Sequence, residues 1–202
     1  MNDNYDMNNM PAEGTPEHVE YMRSQFGEEY EFGYRIGFGR RFGATFIDFI
    51  ITSIIGFLVI LMTGALEVIM NMDDLINNMP QLIIVLKDST LISGLLILVY
   101  YTTEIFIGAS PGKIILGIVI ADSNRYVAEL NKLVKRYLLK HLNSILSVIA
   151  LITSISYFET ISSLVFLILV VGFFFTLSNK RQALHDSLAD TAVFFKENIK
   201  NY

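Results

Sequence analysis

Long apolar runs, each carrying at most one charge, alternate with short basic segments along most of this chain. Phe42 to Leu66 holds 25 residues with one charge, Asp48. At ~1.5 Å per helical residue that length crosses a ~30 Å hydrocarbon core with some tilt. Ser89 to Ile107 holds 19 residues with Glu104 alone, and Leu142 to Leu177 holds 36 with Glu159 alone. The last run is too long for one helix and enough for two short ones meeting near Tyr157–Thr160. The pattern predicts four spans, about 42–66, 89–107, 142–157 and 160–177.

Between them, Arg125 to His141 places Tyr126, Val127, Leu130, Leu133, Val134, Tyr137 and Leu138 on one helical face, with Lys132, Lys135, Arg136 and Lys140 elsewhere. This is a basic amphipathic helix, suited to an anionic membrane surface or to packing on the protein. Lys113 to Ala121, KIILGIVIA, reads as a short strand-like run after Pro111–Gly112. The expected fold class is therefore an all-α membrane protein. It is a four-transmembrane-helix bundle with a cytoplasmic amphipathic helix and short strand-like segments.

Charge orients the bundle. Fourteen of the fifteen Lys and Arg fall before the first run, between the second and third, or after the fourth; the 67–88 loop has only Lys87 against four acids. By the positive-inside rule the basic segments and both termini are cytoplasmic, in a multi-pass protein of a plasma membrane. The first 31 residues hold eight acids against Arg23 alone. They lack both the basic start of a signal peptide and enough apolar surface to order themselves. Residues 1–34 are expected to be a disordered acidic tail, 35–195 the membrane domain and 196–202 a short C-terminal tail. A charged fraction of 17%, against about 25% in soluble domains, points towards a membrane protein, and the absence of cysteine excludes a disulfide framework, a Cys-ligated metal and a thiol nucleophile. Three scattered histidines offer little for a metal site, and no cofactor or nucleic-acid partner is expected.

A carboxylate at membrane depth costs several kcal/mol unless paired, hydrated or protonated, so it is a functional candidate by default. Asp48 and Glu104 are the two. Asp48 shares a helical stripe with Arg41, Ala44 and Thr52, and opposite chain directions put Glu104 at a similar depth. Facing each other, the two would share a proton through repulsion and desolvation. Arg41 lies about 10 Å along the helix from Asp48, a stretched distance for direct pairing.

Three blocks carry a family resemblance. RRFGATFID, residues 40–48, offers Arg41, Ala44 and Asp48. GASPGKIILGIVI, residues 108–120, offers Gly108, Ser110, Pro111, Gly112, Lys113 and Gly117. KRQALHDSLADTAVFF, residues 180–195, offers Lys180, Arg181, His185, Asp186 and Thr191, with Asp190 where a glycine is frequent. In this order they resemble the RDD family of small multi-pass bacterial membrane proteins, over about Arg40 to Phe195. The resemblance implies a membrane domain whose usual suggested role is transport, including cation/proton exchange. Topology adds that Arg41, Asp48, Glu104, Lys113, His185 and Asp186 share one membrane side. Arg41 is expected to bridge Asp48 and Asp186, docking the C-terminal segment under the bundle.

Rival chemistries fit poorly. GASPGK has three residues between its glycines, and Ile114 follows its lysine, so it is not a phosphate loop. His185, Asp186 and Ser187 are adjacent in the chain and cannot converge as a triad. An intramembrane aspartyl protease needs two aspartates inside facing spans. The protein is not expected to be an enzyme. Two classes remain. One is a small ion-coupled transporter moving a proton or monovalent cation through Asp48 and Glu104, with Thr63, Ser93, Thr153, Ser154 and Ser156 supplying polar groups outward. Four helices enclose little, so this reading expects a homo-oligomer of parallel protomers. The other is a membrane-embedded scaffold or regulator of another membrane protein, with the Arg–Asp–Asp cluster structural.

Overall fold

The computed structural model describes residues 32–70 and 75–200, the last range without the side chains of 75–78, together with Glu17, Tyr21, Met22 and Ser24. The expected acidic tail lies almost wholly outside the described residues, as do Asn201 and Tyr202.

The first apolar run forms α1 (Phe38–Met62). Its buried residues are Arg41, Ala44, Asp48 and Val59. It starts one turn before the apolar run because Gly37 is extended, and it ends where Gly64 turns left-handed at φ 73°. A short α2 (Ala65–Met70) follows. The second run forms α3 (Leu75–Tyr101), broken at Thr102 and continued by α4 (Thr103–Phe106). Much of the stretch 67–88, expected as a loop, is thus helical. Pro80 is the sixth residue of α3 and takes one i→i−4 hydrogen bond, that to the Ile76 carbonyl, out of the ladder, yet the helix runs on through it.

Past Gly108 come α5 (Pro111–Ile115) and β1 (Ile118–Asp122). The expected strand over 113–121 is corrected in its first half. Pro111 at the first helical position favours a helical turn, and the strand begins only after Gly117 reverses the chain at φ 66°. Then come α6 (Leu130–Lys140), α7 (Leu142–Thr153) and α8 (Ser156–Phe174), the last extended by a 3-10 turn over Phe175–Leu177. The turn between α7 and α8 falls at Ser154–Ile155, ahead of Tyr157–Thr160, with Ser154 at φ 56°. The chain closes with α9 (Leu184–Leu188), β2 (Thr191–Phe195) and a 3-10 turn over Lys196–Asn198.

Among the described residues, three helices are long and apolar enough to cross a membrane: Phe38–Met62, Met79–Phe106 and Ser156–Leu177. The third expected span, α7, has 12 residues, about 18 Å of helix against a ~30 Å core. Side chains on all three long helices face outward and apolar, among them Phe49, Ile54, Val99 and Leu167, as a lipid environment requires. α1 packs on α3 and α5, and α7 packs on α3 and α8. Small residues let them close. Gly94 lies against Val148, and Gly172 against Leu184, so near that a Cβ there would stand 2.6 Å from the Leu184 Cβ. Hydroxyl pairs cross the helices at Thr63–Ser89 and Ser147–Ser162, each 2.7 Å.

At one end of the bundle β1 and β2 pair antiparallel, from Ile118 opposite Phe195 to Asp122 opposite Thr191. Arg35 bridges to Phe194, and the Ile36 N–H donates to the Val193 carbonyl at 2.8 Å, extending the sheet. The first four residues of each strand are buried. One face packs with Ile36, Ala44 and Leu133, the other with Ala109, Ile199 and Tyr34. Ile199 and the Lys200–Tyr126 bridge place 196–200 on this layer. Asp190 turns into β2 at φ 53°, the left-handed region that explains glycine there. Its carboxylate accepts from Ser123 Oγ and Lys132 Nζ at 2.6 and 2.7 Å.

Candidate functional site

Beneath this sheet layer the buried charges of five segments meet in two adjoining arrangements. The first surrounds Asp48, 2% exposed and ten residues into α1, about 15 Å from its start. Its Oδ1 accepts from the Tyr100 hydroxyl and the Gly112 N–H, both at 2.7 Å, and its Oδ2 from the Ser110 hydroxyl at 2.6 Å. The α1–α5 approach that makes this possible requires two small residues. Ala44 is 1% exposed, and a Cβ on Gly112 would lie 2.3 Å from the Ala44 carbonyl oxygen and 2.8 Å from Asp48 Oδ1. Upstream, Gly108 at φ 70° folds the loop back so that its carbonyl accepts from Ile120 N–H at 2.7 Å. Its missing side chain leaves room for the Ile120 carbonyl, 3.0 Å from where a Cβ would stand.

The second arrangement is a chain of ion pairs. Arg41 donates through Nε to the Ile36 carbonyl at 2.8 Å, through one terminal nitrogen to Asp186, and through the other to the Arg181 carbonyl at 2.9 Å. Asp186 Oδ1 accepts from Arg136 Nε at 2.7 Å, and Arg136 in turn donates to Glu104 Oε2 at 2.7 Å. Glu104 Oε1 takes Lys113 and, at 2.7 Å, Lys140. His185 lies beside Asp186 and Arg136, its Nε2 at 3.4 and 3.5 Å. Thr191, fully buried, donates to the Asp186 backbone carbonyl at 3.3 Å.

The electrostatics follow from burial and neighbours. Burial alone would raise the Asp186 carboxyl, but the guanidiniums of Arg136 and Arg41 outweigh it and hold the group well below the usual range. Burial pushes Lys113 down to about 7 against the pull of Glu104, and pushes His185 down to about 3, so the ring is neutral.

Several expectations change here. Arg41 meets Asp186 as expected, but it does not bridge to Asp48. Nor do Asp48 and Glu104 share a hydrogen bond: Asp48 is held by neutral donors, while Glu104 is enclosed by three cations. Lys113 joins Glu104, and His185 sits next to Asp186. Pro111 starts α5, while Gly117 is an exposed turn glycine with nothing near its missing side chain. Arg136, placed by the amphipathic reading away from the packed face, is 2% exposed and links two of the buried acids, Asp186 and Glu104. The helix expected over Arg125–His141 begins only at Leu130, leaving Tyr126 and Val127 off it; of its apolar face, Leu133 and Tyr137 are buried while Leu130 and Leu138 are 60% and 49% exposed. Lys132, Arg136 and Lys140 recur every fourth residue, on one side of a helix. That periodicity was the available signal. For Tyr100, an ordinary interfacial tyrosine by sequence, there was none.

The RDD family model matches residues 35–190, which contain Arg41, Asp48, Glu104, Lys113, Arg136 and Asp186 and stop one short of Thr191. No curated protein and no solved structure matches the chain. The ordered motifs, the apolar helices they border and a match over most of the chain lead to one conclusion: the protein belongs to the RDD family of small membrane proteins.

Proposed function

We propose that this membrane protein carries a proton or monovalent cation, with Asp48 as the exchangeable site. One observation supports this above the rest. Asp48 is a buried carboxylate on a candidate span whose hydrogen-bond partners are all neutral, two hydroxyls and a backbone N–H. Buried charge calls for compensation. A proton or a cation at Oδ2 provides it, because the Ser110 hydroxyl, 2.6 Å away, can donate to the ionised acid and turn its lone pair to a proton or cation bound there. Glu104 leaves the role it was expected to share: with Lys113, Arg136 and Lys140 on its oxygens it is a structural acid.

The test is cation-dependent proton flux in proteoliposomes, wild type against Asp48→Asn. Asparagine keeps an acceptor for Tyr100 and Gly112 and offers an amide donor to Ser110, so the fold survives and flux should disappear. Equal flux from the Asn variant at matched insertion would remove Asp48 from the mechanism.

A second reading, membrane-embedded scaffold or regulator, is favoured by the ion-pair chain itself, whose bonds tie the C-terminal segment to α1, α4 and α6. Under it, well-inserted wild type carries no ion, and crosslinking recovers a membrane partner.

A further inference from the structure

A cavity of about 820 Å³ opens where α1 begins and α8 ends, the level at which two candidate spans leave the apolar zone together. Arg35, Arg40 and Arg181 line it, and no Asp or Glu is among its described lining residues. Arg181 donates to the carbonyls of Gly33 and Arg35, and Arg40 lies over the Phe195 ring at 4.5 Å. Neither contact neutralises a charge. Arg35, 6% exposed, is set in place by the Lys180 and Ser123 carbonyls and Gln182. The cavity also takes in the first turn of α1, which has no side-chain cap and no acid. Its apolar side is aromatic. Phe38 stacks on Phe42 and Phe174 and tilts against Phe173, with centroids 5.3–5.8 Å apart, and Phe42, Phe174 and Leu177 present exposed apolar surface beside it.

We infer that this cavity binds the phosphate-bearing headgroup of an anionic phospholipid, with the acyl chains lying on the aromatic side. Guanidiniums recognise phosphate by paired N–H donors, and a wall that is cationic at one edge and apolar at the other matches a lipid better than a soluble anion. The site is separate from Asp48, so it stands or falls independently of the carrier reading.

The experiment uses the full chain in neutral detergent, with phosphatidylglycerol, phosphatidylcholine and inorganic phosphate added in separate arms. Thermal unfolding and lipid retention in native mass spectrometry are the readouts. Wild type should be stabilised and occupied by phosphatidylglycerol, and Arg40→Gln should bind it about fivefold more weakly. Gly39→Asp supplies the sharper variant. Position 39 is exposed with nothing within 4 Å of a Cβ, and an acid in the first turn favours the helix. It should therefore melt no lower than wild type without lipid yet lose the phosphatidylglycerol shift. Equal shifts in all three proteins, or equal stabilisation by phosphatidylcholine, would overturn the proposal. A full shift from inorganic phosphate alone would do so as well, assigning the cavity to a soluble anion.

Discussion

A methyl group at position 112 would stand 2.3 Å from the Ala44 carbonyl oxygen, where no flexible side-chain end can move aside. Gly112→Ala must push α5 off α1 and lengthen the Gly112 N–H bond to Asp48. Overpacking of this kind costs about 1–3 kcal/mol, so the variant should melt several degrees lower in detergent. An unchanged melting temperature would mean that the α1–α5 contact is looser than described. Gly117→Ala is the contrasting case, since its strain comes only from φ 66° with open space around it. Its cost should be about 1 kcal/mol, in line with that of a left-handed non-glycine residue.

At the scale of elements, charges tie α6 and α9 to α1 and α4, alongside apolar contacts such as Leu184 on Gly172 and Leu133 in the core with Ala44. Arg136→Met leaves Glu104 short of one cation and Asp186 with Arg41 alone. Breaking a buried pair in this way costs about 3–5 kcal/mol, to be read as lost expression or a large fall in melting temperature. The same geometry forbids a simple rescue. In the double variant Arg41→Asp/Asp186→Arg the new arginine would face Arg136, so the charge swap should remain as unstable as the single variants; full rescue would show that Arg136 does not contact residue 186.

Protonation tests this layer from another side. His185 titrates near 6.5 when unfolded and is pushed by burial to about 3 in the fold, so between those values the unfolded chain binds the extra proton. Stability then falls as pH drops from about 6.5 towards 3, by up to about 1.4 kcal/mol per pH unit from this group. Melting temperatures across that range should decline, and His185→Gln should flatten part of the slope. Lys113, depressed from 10.5 to about 7, works at the opposite end. Its burdened charge is relieved as pH rises from about 7, so its contribution grows until pH reaches 10.5.

For the whole molecule, the question is how many times the chain crosses. α7 is short, yet Lys87 Nζ donates to Ser154 Oγ at 2.9 Å, and Thr63 meets Ser89 at 2.7 Å. These bonds gather the end of α1, the middle of α3 and the α7–α8 turn at one polar level. The sheet layer lies at the other end of α1. If that level is a membrane surface, α7 and α8 form a complete crossing hairpin. The chain has no cysteine, so single substitutions Ser154→Cys and Lys135→Cys, on either side of α7 and both exposed, report cleanly. An impermeant maleimide should label them from opposite sides; labelling from the same side would mean that α7 does not cross and would reduce the count to the long helices.

The hydrophobic pattern alone determined the membrane class, the approximate positions of the helices and the presence of two isolated carboxylates, Asp48 and Glu104, within apolar runs, because apolar length and isolated charge are properties of one segment at a time. Residues Arg41, Lys113 and Asp186 were legible as a group for a related reason: sign and depth can be counted along the chain. Which charge meets which was decided only by the tertiary structure. Arg136 and Lys140 look like the solvated side of an amphipathic helix until α6 is turned inward, and Asp48 looks like a partner for Arg41 until α5 brings Ser110 and Gly112 between the helices. A sequence gives each side chain its chemistry and its place on a helix. The rotation of that helix, and the loop that arrives beside it, depend on contacts between segments distant in the chain.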